Sequence, residues 1–210
     1  MKDINLELDI LKELFNVSVG RASSLLSEII DRRIILNVPD VKLLDIKTDE
    51  FNLEECLPEK SDGIFMISSI CFEHELQGKA SLIFSAKKIR KFIDLCIKND
   101  ETEECYELDF SDIDFDVVKE IGNIVLNSVV GEVGNLLNLK LNYTLPQVQI
   151  YNGADFYEEV DSHYSHILIL NITFLIEGTR IEGAILVHLT LNSFNDIIEK
   201  IKKIKDELYE

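Results

Sequence analysis

The sequence predicts an α+β fold in which two α-β-β-β-α halves, related by a pseudo-twofold axis, share an antiparallel sheet flanked by long helices. One helical segment recurs in each half of the 210-residue chain, and alternating apolar segments joined by short polar connections follow each copy. Such hairpin connections produce antiparallel pairs, and long, mostly apolar helices need a sheet to cover them. We therefore expect a single domain over residues 1–210, made of two repeats at about 5–103 and 108–207.

The recurring segment carries an aspartate, a glutamate and an asparagine in one spacing, followed by a distant proline, and the copies are displaced by 107 residues. The first set is Asp9, Glu13, Asn16 and Pro39, and the second set is Asp116, Glu120, Asn123 and Pro146. In each set, 22 residues separate the asparagine from the proline. An exposed edge of an amphipathic helix would explain one such copy. Because neighbouring residues differ between the copies while these four keep their register, selection for a function explains the pair better.

The first helix is expected from about Asn5 to Asp31. Its aspartate, glutamate and asparagine stand at positions i, i+4 and i+7, which places them on one stripe of the helix. The second copy has the same stripe, extended by Asn127, and the surrounding positions of both helices are largely apolar. A solvated face would be broader and mixed with lysine, so the narrow polar stripe favours a binding or catalytic role.

Three strands and a closing helix are predicted after each copy. The strands are expected at about 33–47, 62–73 and 77–85 in the first half, and at about 139–151, 165–176 and 180–190 in the second. Apolar residues at spacings of three and four predict the closing helices; they are Ile89, Phe92, Ile93 and Cys96, then Phe194, Ile197, Ile198 and Ile201. Segments 69–78 and 175–183 contain glycine and charged residues and are expected to be hairpin connections.

The charge of the chain excludes some partners. Thirty-nine acidic residues against 21 basic ones give a net charge of −18, which argues against nucleic acid or an anionic membrane surface as a partner. No apolar run is long enough to cross a bilayer, and the N-terminus lacks the apolar stretch of a signal peptide. A cytoplasmic location is expected.

The cysteines and histidines do not predict a metal site. Cys56, Cys71, Cys96 and Cys105 include no C-x-x-C pair and have no histidine at metal-ligand spacing. Free thiols in a reducing compartment are favoured over disulfides or a zinc site.

The duplicated pattern Asp-x3-Glu-x2-Asn-x22-Pro resembles the CheC branch of the CheC/CheX/FliY phosphatases of bacterial and archaeal chemotaxis, over nearly the whole chain. The resemblance implies a CheC-like fold and hydrolysis of the phospho-aspartate of a CheY-type receiver domain. It implies that Glu13 and Glu120 form salt bridges with a receiver lysine, and that Asn16 and Asn123 orient the attacking water. It also implies that this chain binds no cofactor, since the receiver supplies Mg²⁺.

The other motif residues are expected to play supporting roles. Asp9 and Asp116 precede the glutamates by one turn, near the helix starts, where an acidic side chain caps the helix or interacts with its dipole. Pro39 and Pro146 are expected to shape the strand beside the helix, because a proline within a sheet sits at an edge or a bulge.

The two copies differ beside their asparagines. Phe15 stands where the family has a small residue, whereas the second copy keeps Gly122. Phe15 either packs inward or crowds an approaching receiver, so the second site is expected to be at least as active as the first.

Two non-enzymatic alternatives remain. Flagellar switch proteins of this fold bind phosphorylated CheY without the Glu/Asn pair, and CheC-type proteins bind the deamidase CheD. Retention of both pairs favours the enzyme, while the sequence leaves CheD binding open.

Overall fold

A computed structural model describes residues 2–49, 63–97, 110–152 and 163–209, and these residues form four helices and seven strands. The first half contains α1 (Lys2–Ile30), β1 (Ile34–Asp45), β2 (Ile64–His74), β3 (Gly78–Ser85) and α2 (Ala86–Ile97). The second contains α3 (Asp112–Leu137), β4 (Leu141–Tyr143), β5 (Gln147–Asn152), β6 (His166–Ile176), β7 (Thr179–Leu189) and α4 (Leu191–Tyr209).

All seven strands form one sheet in the order β1-β6-β7-β3-β2, with β4 and β5 lying end to end along the outer side of β2. Every neighbouring pair is antiparallel. The outer strand of each half pairs with the other half, because β1 lies against β6 and β5 lies against β2. The predicted α+β fold, with an antiparallel sheet shared by two halves and flanked by long helices, is confirmed.

The central pair β3–β7 shows the twofold relation directly. A Cβ atom at Gly78 would lie 2.5 Å from the carbonyl oxygen of His188, and one at Gly183 would lie 2.7 Å from that of Ile83. Gly183 follows Gly78 by 105 residues, and His188 follows Ile83 by the same number. The same close contact therefore occurs twice, once from each half to the other. Glycine is needed at both positions because a side chain would push the central strands apart.

One face of the sheet packs against the helices and carries the main core. Helix α1 lies on β1 and against α3, and α3 lies on β2 and β3. Alternate strand residues point to the opposite face and form a smaller buried cluster of Phe65, Ile67, Ile83, Ile167, Ile169 and Leu186. The closing helices bury the predicted apolar stripes, with Ile89 and Phe92 in α2 and Ile197 and Ile201 in α4 fully inside.

Most predicted boundaries agree with the structure to within two residues, but three expectations are wrong. The single strand predicted at 139–151 is divided into β4 and β5 by residues 144–146, because Pro146 has no N–H for a continuous ladder. The connections predicted at 69–78 and 175–183 are shorter, since the strands extend to His74 and Ile176. Helix α1 begins at Lys2, before the predicted Asn5.

Gly122 sets how closely α3 approaches the sheet. It is buried, and a Cβ atom there would overlap the Oγ of Ser68 in β2 and lie 2.7 Å from the Ser68 Cβ. Gly131, on the same helix, has room, since its Cβ would lie 3.8 Å from the hydroxyl oxygen of Tyr143.

We predict that Gly122→Ala lowers the free energy of unfolding by about 1–3 kcal/mol, because the added methyl forces α3 away from β2. Gly131→Ala is the matched control and should raise it by about 0.5–1 kcal/mol, as alanine favours the helix interior. Urea denaturation of both variants measures the difference. Equal stability of the two variants would contradict the close approach of α3 to Ser68.

His188 is a buried titratable group in β7, paired with Lys79 of β3. Burial, together with the nearby positive charge of Lys79, lowers the pKa of His188 from 6.5 to about 4. The folded state therefore keeps the imidazole neutral where the unfolded chain would protonate it.

We predict that His188 makes the protein less stable as the pH falls from about 6.5 towards 4. In this range the unfolded chain binds the extra proton, so stability is lost by up to about 1.4 kcal/mol per pH unit. His188→Gln should flatten this part of the curve of unfolding free energy against pH.

Candidate functional site

The first motif asparagine joins α1 to β1 through its whole side-chain amide. Asn16 donates from Nδ2 to the carbonyl oxygens of Lys12 at 2.9 Å and Val38 at 3.0 Å. Its Oδ1 accepts from the backbone N–H of Val38 at 2.7 Å. Both amide N–H groups are therefore used within the protein, and one lone pair of the oxygen remains.

Pro39 explains why the Val38 backbone is available to Asn16. The register of β1 on β6 shifts between Asn37 and Asp40, so Val38 and Pro39 form a bulge in an edge strand. Residues in a bulge leave the ladder, and the freed N–H and C=O of Val38 turn to the asparagine. The expectation that this proline lies at an edge or a bulge is confirmed.

The second motif asparagine has a different partner. Asn123 Oδ1 accepts from Nδ2 of Asn127 at 2.8 Å, one turn further along α3. In the described part of the chain, Nδ2 of Asn123 makes no hydrogen bond, and its N–H groups remain available to a ligand. Leu145, the counterpart of Val38, has 80% of its surface exposed, against 1% for Val38. The first site is closed by its strand and the second is open.

Both motif glutamates are exposed, each one turn before its asparagine. Neither Glu13 nor Glu120 forms an ion pair with another described residue. Each helix thus presents a carboxylate and an amide on one stripe, as the sequence predicts. Phe15 is buried and packs inward, so it does not obstruct the first site.

An open depression of about 500 Å³ lies beside the second site, between α3 and the start of β5. It brings together two motif residues that are distant in sequence, Asp116 and Pro146. Lys119, the neighbour of Glu120, also lines it. Asp9 is exposed on α1 and Pro39 is exposed in β1.

The capping role expected for Asp9 and Asp116 is wrong. Helix α1 begins seven residues before Asp9. Helix α3 is capped by Ser111 and Asp114, which form a capping box. Asp116 lies beyond this first turn, so the depression is the feature it helps to form.

Asp114 also fixes α3 against α2. Its Oδ2 accepts from Arg90 at 3.1 Å and from the Ser111 backbone at 2.7 Å. Burial alone would raise the pKa of Asp114, but the hydrogen bonds from Arg90 and Ser111 hold that pKa below its usual range. Towards the C-terminal end of α3, Glu132 contacts Arg21 of α1 at 3.2 Å.

Sequence reasoning missed the partners of the two asparagines. The contact to Val38 is made by its backbone, which no residue type in the sequence indicates. Asn127 was recognised as an extension of the polar stripe, but its hydrogen bond to Asn123 was not predicted. The lysine before each glutamate, Lys12 and Lys119, also recurs in both copies.

Among the described residues, no group of three or more histidine, cysteine or acidic side chains could hold a metal ion. Cys71 and Cys96 are free thiols, and burial raises the pKa of Cys96 to about 12. Cys56 and Cys105 lie outside the described residues. No described helix is long and apolar enough to span a membrane.

A sheet shared by two halves, with a Glu/Asn stripe on each long helix, is the arrangement that the resemblance to CheC implies. No protein-family model matches the chain. The CheY-P phosphatase CheC of Bacillus subtilis (strain 168) is 25% identical over 146 residues, which cover 69% of this chain and 66% of that protein. The chain thus matches slightly less than two thirds of the length of this relative.

Solved structures show the same fold. FliY of Thermotoga maritima is 22% identical, covers 94% of this chain and 96% of its own, and superposes with a TM-score of 0.70. The FliM middle domain from H. pylori is 14% identical, covers 92% of this chain and 97% of its own, and has a TM-score of 0.64. The resemblance to the CheC/CheX/FliY family is confirmed, by the distant sequence similarity to CheC and by the shared fold.

We predict that Asn16→Ala lowers the free energy of unfolding by about 1–3 kcal/mol, because the Val38 N–H and C=O lose their partners. Asn123→Ala should change it by less than about 1 kcal/mol, since only a side-chain bond to Asn127 is lost. Thermal and urea denaturation of the two variants compares the sites. An equal loss in both would contradict the closed and open states described for them.

Proposed function

We propose that the chain is a phosphatase for the phospho-aspartate of a CheY-type receiver domain, and that its second site, Glu120 with Asn123, is the more active one. The proposal depends on Asn123, whose two amide N–H groups are not used by any described residue and lie beside an exposed glutamate. The corresponding groups of Asn16 are bonded to Lys12 and Val38.

The reaction needs no nucleophile on this chain. Water attacks the phosphorus, the bond between phosphorus and the aspartyl oxygen breaks, and inorganic phosphate and the receiver carboxylate are released. Catalysis then depends on holding the water in line and balancing charge, and the receiver supplies Mg²⁺ for the second task. Asn123 holds the water, because an amide both donates and accepts hydrogen bonds.

Glu120 docks the receiver. An exposed carboxylate one turn before Asn123 forms a charge-assisted bond to the receiver lysine and sets the register of the asparagine in the receiver site. Glu13 does the same on α1, where Asn16 is closed against β1. The first site therefore binds a receiver more readily than it dephosphorylates one.

The comparisons support a role in chemotaxis-type signalling, because a relative with sequence similarity is described as a CheY-P phosphatase. The likeness to FliY and FliM supports the fold alone. We also propose that the protein acts in the cytoplasm and that residues 5–103 and 108–207 are repeats within one domain.

A second candidate is a module that binds a phosphorylated receiver without hydrolysis. The engaged amide of Asn16 favours this role for the first site. Binding to CheD stays a prediction from the resemblance.

The test is the decay of a CheY receiver phosphorylated with acetyl phosphate, followed with this protein in excess. Asn123→Ala should reduce the maximal rate by about 100-fold, as removal of a preorganised polar group does elsewhere. Asn16→Ala, assayed where it remains folded, should stay within about threefold of the unaltered protein, since its amide is not free to act. Glu120→Ala should raise the half-saturating concentration.

The outcomes separate the candidates. Decay that the unaltered protein does not accelerate, with receiver binding retained, would support the binding module. Loss of the activity in Asn16→Ala and not in Asn123→Ala would assign it to the first site.

A further inference from the structure

We propose that Asn127 is a positioning residue that orients the side-chain amide of Asn123 for catalysis. The inference rests on the phosphatase function proposed above and names a further residue of the same site. Asn127 does not need to touch the receiver, because its effect passes through Asn123.

The geometry supplies the orientation. Nδ2 of Asn127 donates to Oδ1 of Asn123 at 2.8 Å, from one helical turn away. This bond holds the amide plane and directs the two N–H groups of Asn123 away from Asn127. One lone pair of the Asn123 oxygen also remains, so the amide is still able to donate to and accept from a water.

Stability does not explain an asparagine at this position. Oδ1 of Asn127 is buried and has no hydrogen-bond partner within the part of the chain that the structure describes. A buried acceptor without a partner destabilises the fold, and asparagine is a poor residue for a helix interior. The corresponding position of the first copy is Gly20, which is exposed.

The first site shows what Asn127 replaces. In both sites the asparagine oxygen accepts from a fixed donor, which is the Val38 N–H in one and Nδ2 of Asn127 in the other. The Val38 backbone also takes an N–H of Asn16 through its carbonyl. Asn127 therefore provides the donor that orients the Asn123 oxygen, but no acceptor for the Asn123 N–H groups.

The test compares three variants in the decay assay with the acetyl-phosphate-treated CheY receiver. Asn127→Ala and Asn127→Leu should lower the maximal rate roughly tenfold or more, because the Asn123 amide rotates freely. Their half-saturating concentration should not change, since Glu120 still docks the receiver. Asn127→Gln keeps a donor and should restore much of the rate.

Thermal unfolding provides the second readout. Asn127→Ala and Asn127→Leu remove a buried acceptor that lacks a partner, so the Tm should be unchanged or higher. Asn135→Ala, at an exposed asparagine two turns further along the same helix, is the control and should alter neither rate nor half-saturation.

A slow Asn127→Ala that also loses Tm would overturn the inference in favour of a structural role. A maximal rate equal to that of the unaltered protein would overturn it as well, while leaving the phosphatase function intact. Failure of the phosphatase function is distinct, because then the unaltered protein does not accelerate decay, and the inference falls with it.

Discussion

The antiparallel pairing of β3 with β7 is the contact on which the rest of the architecture depends. It places one strand of each half at the centre of the sheet, and two glycines allow the strands to approach as closely as they do. From this centre the remaining strands are added outward on both sides, which sets β1 against β6 and β5 against β2. The long helices α1 and α3 then cover one face side by side, and each exposes the aspartate and the glutamate of its motif.

The two copies of the motif have different proposed roles, one in stability and one in ligand binding. The number of hydrogen bonds that a primary amide can make accounts for the difference. An amide that gives both of its N–H groups to the protein stabilises the fold and has no donor left for a ligand. Asn16 is in this state, bound to Lys12 and Val38. Among the described residues, Asn123 accepts one bond and keeps its donors, and the oxygen of its neighbour Asn127 is buried without a partner. The open site is thus the less well satisfied of the two, as expected where function and stability compete.

Local patterns were sufficient to predict the helices, five of the seven strands and the polar stripes, because burial of one face imposes a period on each element. They were not sufficient to predict how the two prolines change the strands that contain them. Pro39 is absorbed as a bulge, whereas the segment ending at Pro146 separates β4 from β5. The difference accompanies the different partners of the two asparagines, since the Val38 backbone reaches Asn16 from another element whereas Asn127 lies on the same helix as Asn123. For the same reason the sequence indicated which side chains line the sites and not which of them are free.

The crossing of outer strands between the halves has a consequence for synthesis of the protein. Strand β1 leaves the ribosome early, but its partner β6 lies in the second half, where Ile34 pairs with Ile176. Until that half is made, β1 has no partner strand, and the apolar face of α1 lacks its contact with α3. Pairing between such distant segments slows folding, and the unpaired strand edges are prone to aggregation in the meantime. The sheet therefore forms only after β6 has been synthesised, and a chain that ends before β6 is expected to be bound by chaperones or degraded by proteases.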